Sequence, residues 1–167
     1  MVHRRQLAVL LPAVAFAMAM SGCGERPAPP PPPPPPVQSA WTPADSQDVA
    51  KQMIDAAARD QWVSEFTGKA GHPPHILIGD IVDRSNDSVD MKELSNDLQA
   101  AITASGTLVL ANGRDDCDAT LVGGIDRKAV GDSAYEYALD LHLTGTAHGD
   151  PVWVRSVERR KTITPSP

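Results

Sequence analysis

The sequence has only two cysteines, Cys23 and Cys117, and no apolar run long enough to cross a bilayer as a helix. Its longest such run, Leu7 to Met20, is about 14 residues, whereas roughly 20 are needed to span the hydrocarbon core. A permanent transmembrane helix is therefore disfavoured. Positive charge is scarce as well: 15 Lys and Arg stand against 21 Asp and Glu, a net charge of -6. An acidic chain without a basic stripe argues against nucleic acid and against electrostatic attachment to anionic headgroups. Nor is there a G-x-S-x-G, a P-loop, an H-E-x-x-H or a cysteine pair with metal spacing. With no constellation of reactive side chains, the sequence reads as a protein that is not an enzyme and needs no cofactor. No internal repeat is visible.

What the chain does have begins at its start. His3, Arg4 and Arg5 precede the apolar run, and the small residues Ser21 and Gly22 precede Cys23. Basic, then apolar, then small is the layout of a secretory signal. Met20-Ser21-Gly22-Cys23 resembles the lipobox of bacterial lipoproteins, in which the cysteine thiol receives a diacylglycerol and the new N-terminus a fatty acyl chain such as palmitate. Residues 1–22 are thus read as a signal peptide and Cys23 as the lipidated first residue. Arg4 and Arg5 leave with the signal, so 13 basic and 21 acidic residues remain, net -8.

Residues 23–41 read as a tether. Pro27 to Pro36 contains nine prolines and one Ala. Proline fixes φ and lacks a backbone donor, so the tract favours an extended polyproline II rod. At about 3.1 Å per residue it spans roughly 30 Å, and Gly24 to Trp41 fully extended reaches roughly 55 Å. Such a spacer holds a domain away from a membrane.

Residues 42–164 form one globular domain with a modest core. Thr42-Pro43-Ala44-Asp45 opens a helix with an N-cap, an N1 proline and a capping-box acid. Val49, Met53, Ile54, Ala57 and Trp62 follow helical spacing to near Phe66. His75 to Val82 is apolar on both faces, as expected for a central strand covered on each side. A second helix starts near Asp90, with Glu93 in the capping-box position and Gly106 as its stop. Thr107–Ala111 is a short strand followed by an Asn112-Gly113 turn signal. Ala119–Asp126, Ala134–Thr144 and Val152–Ile163 complete the strands, the second of them alternating cleanly. Strands that follow one another favour antiparallel pairing, which predicts an α+β fold with a mainly antiparallel central sheet flanked by helices.

Several stretches in this order resemble the LpoB family, the outer-membrane lipoprotein activators of bifunctional penicillin-binding proteins. They are Leu77-Ile78-Gly79-Asp80-Ile81 with Asp83-Arg84-Ser85, Asp90-Met91-Lys92-Glu93-Leu94, and Cys117 to Ile125. Tyr135 to Leu143, Pro151-Val152-Trp153 and Glu158-Arg159-Arg160-Lys161 complete the match, over about Thr42 to Ile163. The family has a longer helical segment where Asn112 to Asp118 stands here, and its best-known members have a longer tether. The resemblance implies a domain like LpoB and the N-terminal domain of TolB after a disordered tether. It also implies an anchor in the outer membrane facing the periplasm, with a class A penicillin-binding protein, the peptidoglycan glycosyltransferase and transpeptidase, as partner. Gly24 after the lipidated cysteine fits outer-membrane sorting. The alternative is an envelope lipoprotein of an assembly or secretion complex, with a related TolB-like or CsgG-like domain.

For partner contact the candidates are Asp83, Arg84, Ser85 and Asn86, a polar loop held between a buried strand and a capped helix. Tyr135 and Tyr137 alternate toward one face and are candidate anchors, although packing under a helix suits at least one of them better. His72, His75, His142 and His148 lack a third ligand, so no metal site is expected. Asp115, Asp116 and Asp118 lack the Gly and Glu of a calcium loop and read as a solvated acidic turn. They surround Cys117 with negative charge, which disfavours a reactive thiolate and makes it a structural thiol. Arg159-Arg160-Lys161 reads as the charged end of an edge strand.

Overall fold

The computed structural model describes residues 40–131 and 134–162. The chain divides into two units, Met1–Pro35 and Pro36–Pro167, and every described residue belongs to the second. Cys23, the signal and the Pro27–Pro36 tract lie outside the described residues.

Helix α1 spans Pro43–Ala58. Thr42 caps it in extended geometry: its hydroxyl accepts from the Asp45 N–H while the Asp45 carboxylate accepts from the Thr42 N–H at 2.9 Å. The helix buries Val49, Ala50, Met53, Ile54 and Ala57. It then stops, and α2 occupies Gln61–Ala70. The single helix expected up to Phe66 is therefore two. Asp60 is the cause: it takes an extended backbone and its carboxylate accepts from the Trp62 N–H, ending one helix and capping the next. Gly71, at φ 79°, closes α2.

Strand β1 spans His75–Asp83, helix α3 Met91–Ser105 and strand β2 Val109–Leu110. Asp90 caps α3 by accepting from the Glu93 N–H at 2.9 Å, and Gly106 closes it at φ 69°. A short 3-10 turn, Arg114–Asp116, leads to β3, Ala119–Ala129; β4, Ala134–Gly145; and β5, Pro151–Thr162.

The five strands form one sheet in the order β2-β1-β3-β4-β5. The long β3–β4 and β4–β5 pairings are antiparallel, as expected. The other two differ from expectation. β2 is only two residues and pairs with β1 in parallel, and β3 pairs with the other side of β1, also in parallel. Asn112-Gly113 thus makes no hairpin. The chain instead crosses the start of β1, where the Asp118 N–H donates to the His75 carbonyl at 2.9 Å.

Leu121 and Ile125 of β3, Tyr137, Leu139, Leu141 and Leu143 of β4, and Trp153 and Val157 of β5 share a core with α1 and with Leu94, Leu98 and Ile102 of α3. Burying each large apolar side chain contributes about 1.5–3 kcal/mol. Trp41, placed at the end of the tether by sequence, belongs to this core: its ring lies 5.3 Å from that of Tyr137.

Among the described residues no α-helix packs on the opposite face of the sheet, and only the 3-10 turn borders it, where Arg114 and Cys117 share a cavity with Leu77 and Thr120. Register places Leu77, Val82, Thr120, Val122, Gly124, Asp140, His142 and Val154 there. Val82 is 50% exposed and Val154 70%. The expectation that β1 is covered on both sides is thus corrected. Its outer face is sheltered by its neighbour strand instead: a Cβ at Gly79 would lie 2.8 Å from the methyl groups of both Thr120 and Val122. One extra residue between Ile78 and Ile81 bulges β1 and returns Ile81 to the core side.

Candidate functional site

The loop that leaves β1 is built by two carboxylates. Asp83 Oδ1 accepts from the Ser85 N–H at 2.8 Å and from the Ser85 hydroxyl, and Oδ2 accepts from the Val89 N–H at 3.1 Å. The Ser85 hydroxyl in turn accepts from the Asp87 N–H at 3.2 Å. Within this frame Asn86 and Ser88 adopt φ of 57° and 52°. Left-handed geometry at residues other than glycine persists only where surrounding contacts over-determine it.

Asp87 supplies those contacts. It is buried, and its Oδ2 accepts from the Tyr137 hydroxyl and from the Ala40 N–H at 3.3 Å. Arg127 Nη1 stands 2.9 Å from Oδ1, and its guanidinium lies 4.2 Å from the centre of the Tyr135 ring. Burial, then the hydrogen bond to Asp87, pushes the Tyr137 phenol up to about 12. A buried carboxylate is tolerable here because a cation and hydrogen-bond donors meet it.

Arg84 takes the other direction. Its N–H donates to the Ile125 carbonyl at 2.8 Å, extending the β1–β3 ladder. Its guanidinium then lies across the open face of the sheet, flat over Gly124, where any Cβ would stand 2.2 Å from Nη1. It grips Asp126 with Nε at 3.1 Å and Nη2 at 2.6 Å. This bond is the first cause holding the Asp126 carboxyl below its ordinary range, and it raises Arg84 correspondingly. Asp140, opposite Gly124 in register, adds a second negative charge.

The sequence candidates therefore separate. Arg84 and Asn86 are exposed, and Asp83 and Tyr135 are half-buried. Ser85 and Tyr137 are buried and act as supports rather than as surface. Four participants were not singled out: Asp87, Gly124 as Arg84's seat, Asp126 and Arg127. The Gly123-Gly124 pair inside a strand is the signal for Gly124, since such glycines mark close approach. Nothing distinguishes Asp87 in the polar run Ser85 to Ser88.

Elsewhere, among the described residues no group of three or more His, Cys, Asp or Glu is placed to hold a metal ion, and no helix is long and apolar enough to cross a membrane. His72 and His75 have rings 5.3 Å apart, and His72 Nδ1 lies 3.9 Å from Asp118. Asp116 accepts from the Gly113 N–H at 3.0 Å, which is the first cause lowering its carboxyl. Cys117 is buried, its thiol 3.4 Å from the Arg114 carbonyl. At the sheet edge, Arg159 and Lys161 turn back to Asp48 and Asp45 of α1, at 3.5 Å and 2.5 Å.

Comparison with known proteins supplies the rest. Residues 45–123 match the family described as peptidoglycan-synthase activator LpoB. No curated protein matches the chain. Among solved structures, it is similar to the LpoB C-terminal domain from Escherichia coli, at 14% identity and a TM-score of 0.47, covering 69% of this chain and 98% of that one. It is also similar to the LpoB C-terminal domain from Salmonella enterica, at 16% identity and a TM-score of 0.42, covering 58% of this chain and 91% of that one. The resemblance read from the sequence is thus met by a match to the LpoB family of peptidoglycan-synthase activators over residues 45–123, a little under half of the chain.

Proposed function

We propose that this protein is a non-enzymatic lipoprotein, anchored in the outer membrane through Cys23, that binds and allosterically activates a bifunctional, class A penicillin-binding protein across the periplasm. The family match over residues 45–123 supports the partner class. The observation that carries the docking assignment is the uncovered sheet face, where Arg84 lies over Gly124 between Asp126 and Asp140 and the exposed Val82 follows Ile81. An apolar and charged surface of this kind suits a polar, specific interface better than a solvated face. Asn86, held in left-handed geometry beside it, extends the surface.

Activation requires that the protein bind the active state of the synthase better than the idle one. A tenfold shift in that equilibrium needs about 1.4 kcal/mol of differential affinity, within reach of one or two such contacts. The test is glycan polymerisation from lipid-linked precursor by the organism's bifunctional synthases, with and without the lipoprotein. Stimulation that is lost in Arg84→Glu, with the variant still folded, supports the reading. If no synthase responds to the wild-type protein or binds it, the reading fails.

A further inference from the structure

The end of the domain remote from Arg84 carries a groove that the activation reading does not use. Trp62 and Phe66 of α2 form one wall, and Ala147 and Val152 close it with Asp118 and Asp150, around a cavity of about 210 Å³. Cofactor and small-molecule pockets run to roughly 300–1,000 Å³, so this one takes a single apolar side chain. Its position is set by the fold. Ala40 and Trp41 are fastened at the C-terminal end of β1, through Asp87 and Tyr137. The groove lies at the N-terminal end of β1, beside the β4–β5 hairpin. β3 and β4 run between the two ends for 11 and 12 residues, about 35 Å at the usual strand rise. The groove is thus at the opposite end of the β3–β4 pair from the contact between Trp41 and Tyr137.

One further observation bears on what fills it. The charges at the rim have one sign: Asp118 and Asp150 line the groove, and no Lys or Arg does. Asp118 accepts from the His75 N–H at 2.8 Å. Asp150 is exposed and has no ion pair among the described residues.

We propose that this groove is a second docking site, which seats the apolar side chain of a partner protein segment whose flanking residues are Lys or Arg. The aromatic wall takes the apolar anchor, as pockets at interface centres do. The carboxylates select its flanks. The site goes beyond the activation reading, and its test needs no synthase, so either can fail alone.

The test uses the full chain labelled with 5-fluorotryptophan, whose three signals report Trp41, Trp62 and Trp153. The Trp62→Phe variant assigns the signal of interest. The probes are acetyl-Arg-Leu-Arg-amide, acetyl-Glu-Leu-Glu-amide and acetyl-Arg-Gly-Arg-amide. The first should shift the Trp62 signal saturably at millimolar concentration, leaving Trp41 and Trp153 in place, and the other two should bind at least tenfold more weakly. Ala147 is exposed at the rim, so Ala147→Leu should fill the groove without unfolding the chain and abolish the response, while Asp150→Asn should weaken it. An unmoved Trp62 signal, or an equal response to the acidic or glycine peptide, overturns the proposal. So would a dimer in sedimentation that Ala147→Leu converts to monomer, because the occupant would then be a second copy.

Discussion

Two adjacent glycines of β3 face opposite demands, and replacing each by alanine separates them. At Gly123 an added Cβ would lie 1.9 Å from the Asp140 carbonyl oxygen and 2.9 Å from Leu141 Cδ2. That oxygen belongs to the paired strand, so Gly123→Ala is accommodated only by displacing the β3–β4 ladder. Overpacking of this kind costs up to about 3 kcal/mol or more, equivalent to a fall in Tm of roughly 10 °C for a domain of this size. At Gly124 the obstruction is the end of the Arg84 side chain, at 2.2 Å from Nη1. The guanidinium swings away and gives up Asp126, an exposed pair with both side chains 46% accessible. Such pairs contribute about 0–1 kcal/mol, and removing a strand glycine offsets about 0.5–1 kcal/mol. Gly124→Ala should therefore melt within a few degrees of wild type. Its effect appears in function: with Arg84 dislodged, stimulation of the synthase should fall several-fold. Thermal unfolding by circular dichroism and the polymerisation assay read the two outcomes. Equal destabilisation by both substitutions would refute the packing argument. Full stimulation by Gly124→Ala would refute the role given to Arg84.

Three further outcomes follow from other parts of the molecule. The Tyr137 phenol is raised from its ordinary value of 10 to about 12, first by burial and then by Asp87. The unfolded chain therefore loses this proton first, so the contribution is complete below pH 10 and declines between about pH 10 and 12. Tyr137→Phe should remove that decline, cost about 1–3 kcal/mol by stripping a donor from buried Asp87, and speed amide exchange at Ser85 to Val89; unchanged exchange there would show that Asp87 does not hold the loop. Asp126 should titrate below the usual carboxylate range by NMR, its ion pair fading as pH falls through that lowered value, and return to the range in Arg84→Gln; the same titration in both proteins would contradict the bidentate grip. Cys23→Ser should release the protein from membranes without changing its fold, and a variant that stayed with the membrane fraction would rule out the lipid anchor.

Much of the fold was legible because its punctuation is local. Thr42 with Asp45, Asp90 with Glu93, and Gly106 act through neighbours within a few residues, and each behaves as its chemistry requires. The alternation of Tyr135 to Leu143 fixes which face of β4 is buried. Three features were not legible, each for a physical reason. The break at Asp60 has no proline or glycine to mark it, only a carboxylate that competes for a backbone N–H. The parallel β1–β3 pairing is decided by a two-residue strand and a turn that crosses the start of β1, so neighbours in sequence are not neighbours in the sheet. The outer face of β1 reads as buried because its residues are apolar, yet its shelter comes from Thr120 and Val122 leaning over Gly79, a contact between strands some 40 positions apart.

The same distinction runs through the candidate site. Asp83 to Asn86 could be chosen from sequence as a polar loop on a rigid frame. Which of its members face outward depends on Asp87, whose partners Ala40, Arg127 and Tyr137 come from three separate parts of the chain. Ser85 and Tyr137 turn inward because that buried carboxylate and Asp83 need donors. Arg84 turns outward because Gly124 leaves it room.

Whether the uncovered sheet face engages a bifunctional synthase and raises its activity is read most directly from the initial rate of glycan polymerisation by the purified synthase, titrated with wild-type protein and with Arg84→Glu. A saturable increase is expected with the wild type and little or none with the variant, both proteins having the same melting temperature within a few degrees. An unchanged rate at saturating wild-type protein, or equal stimulation by the variant, would contradict it.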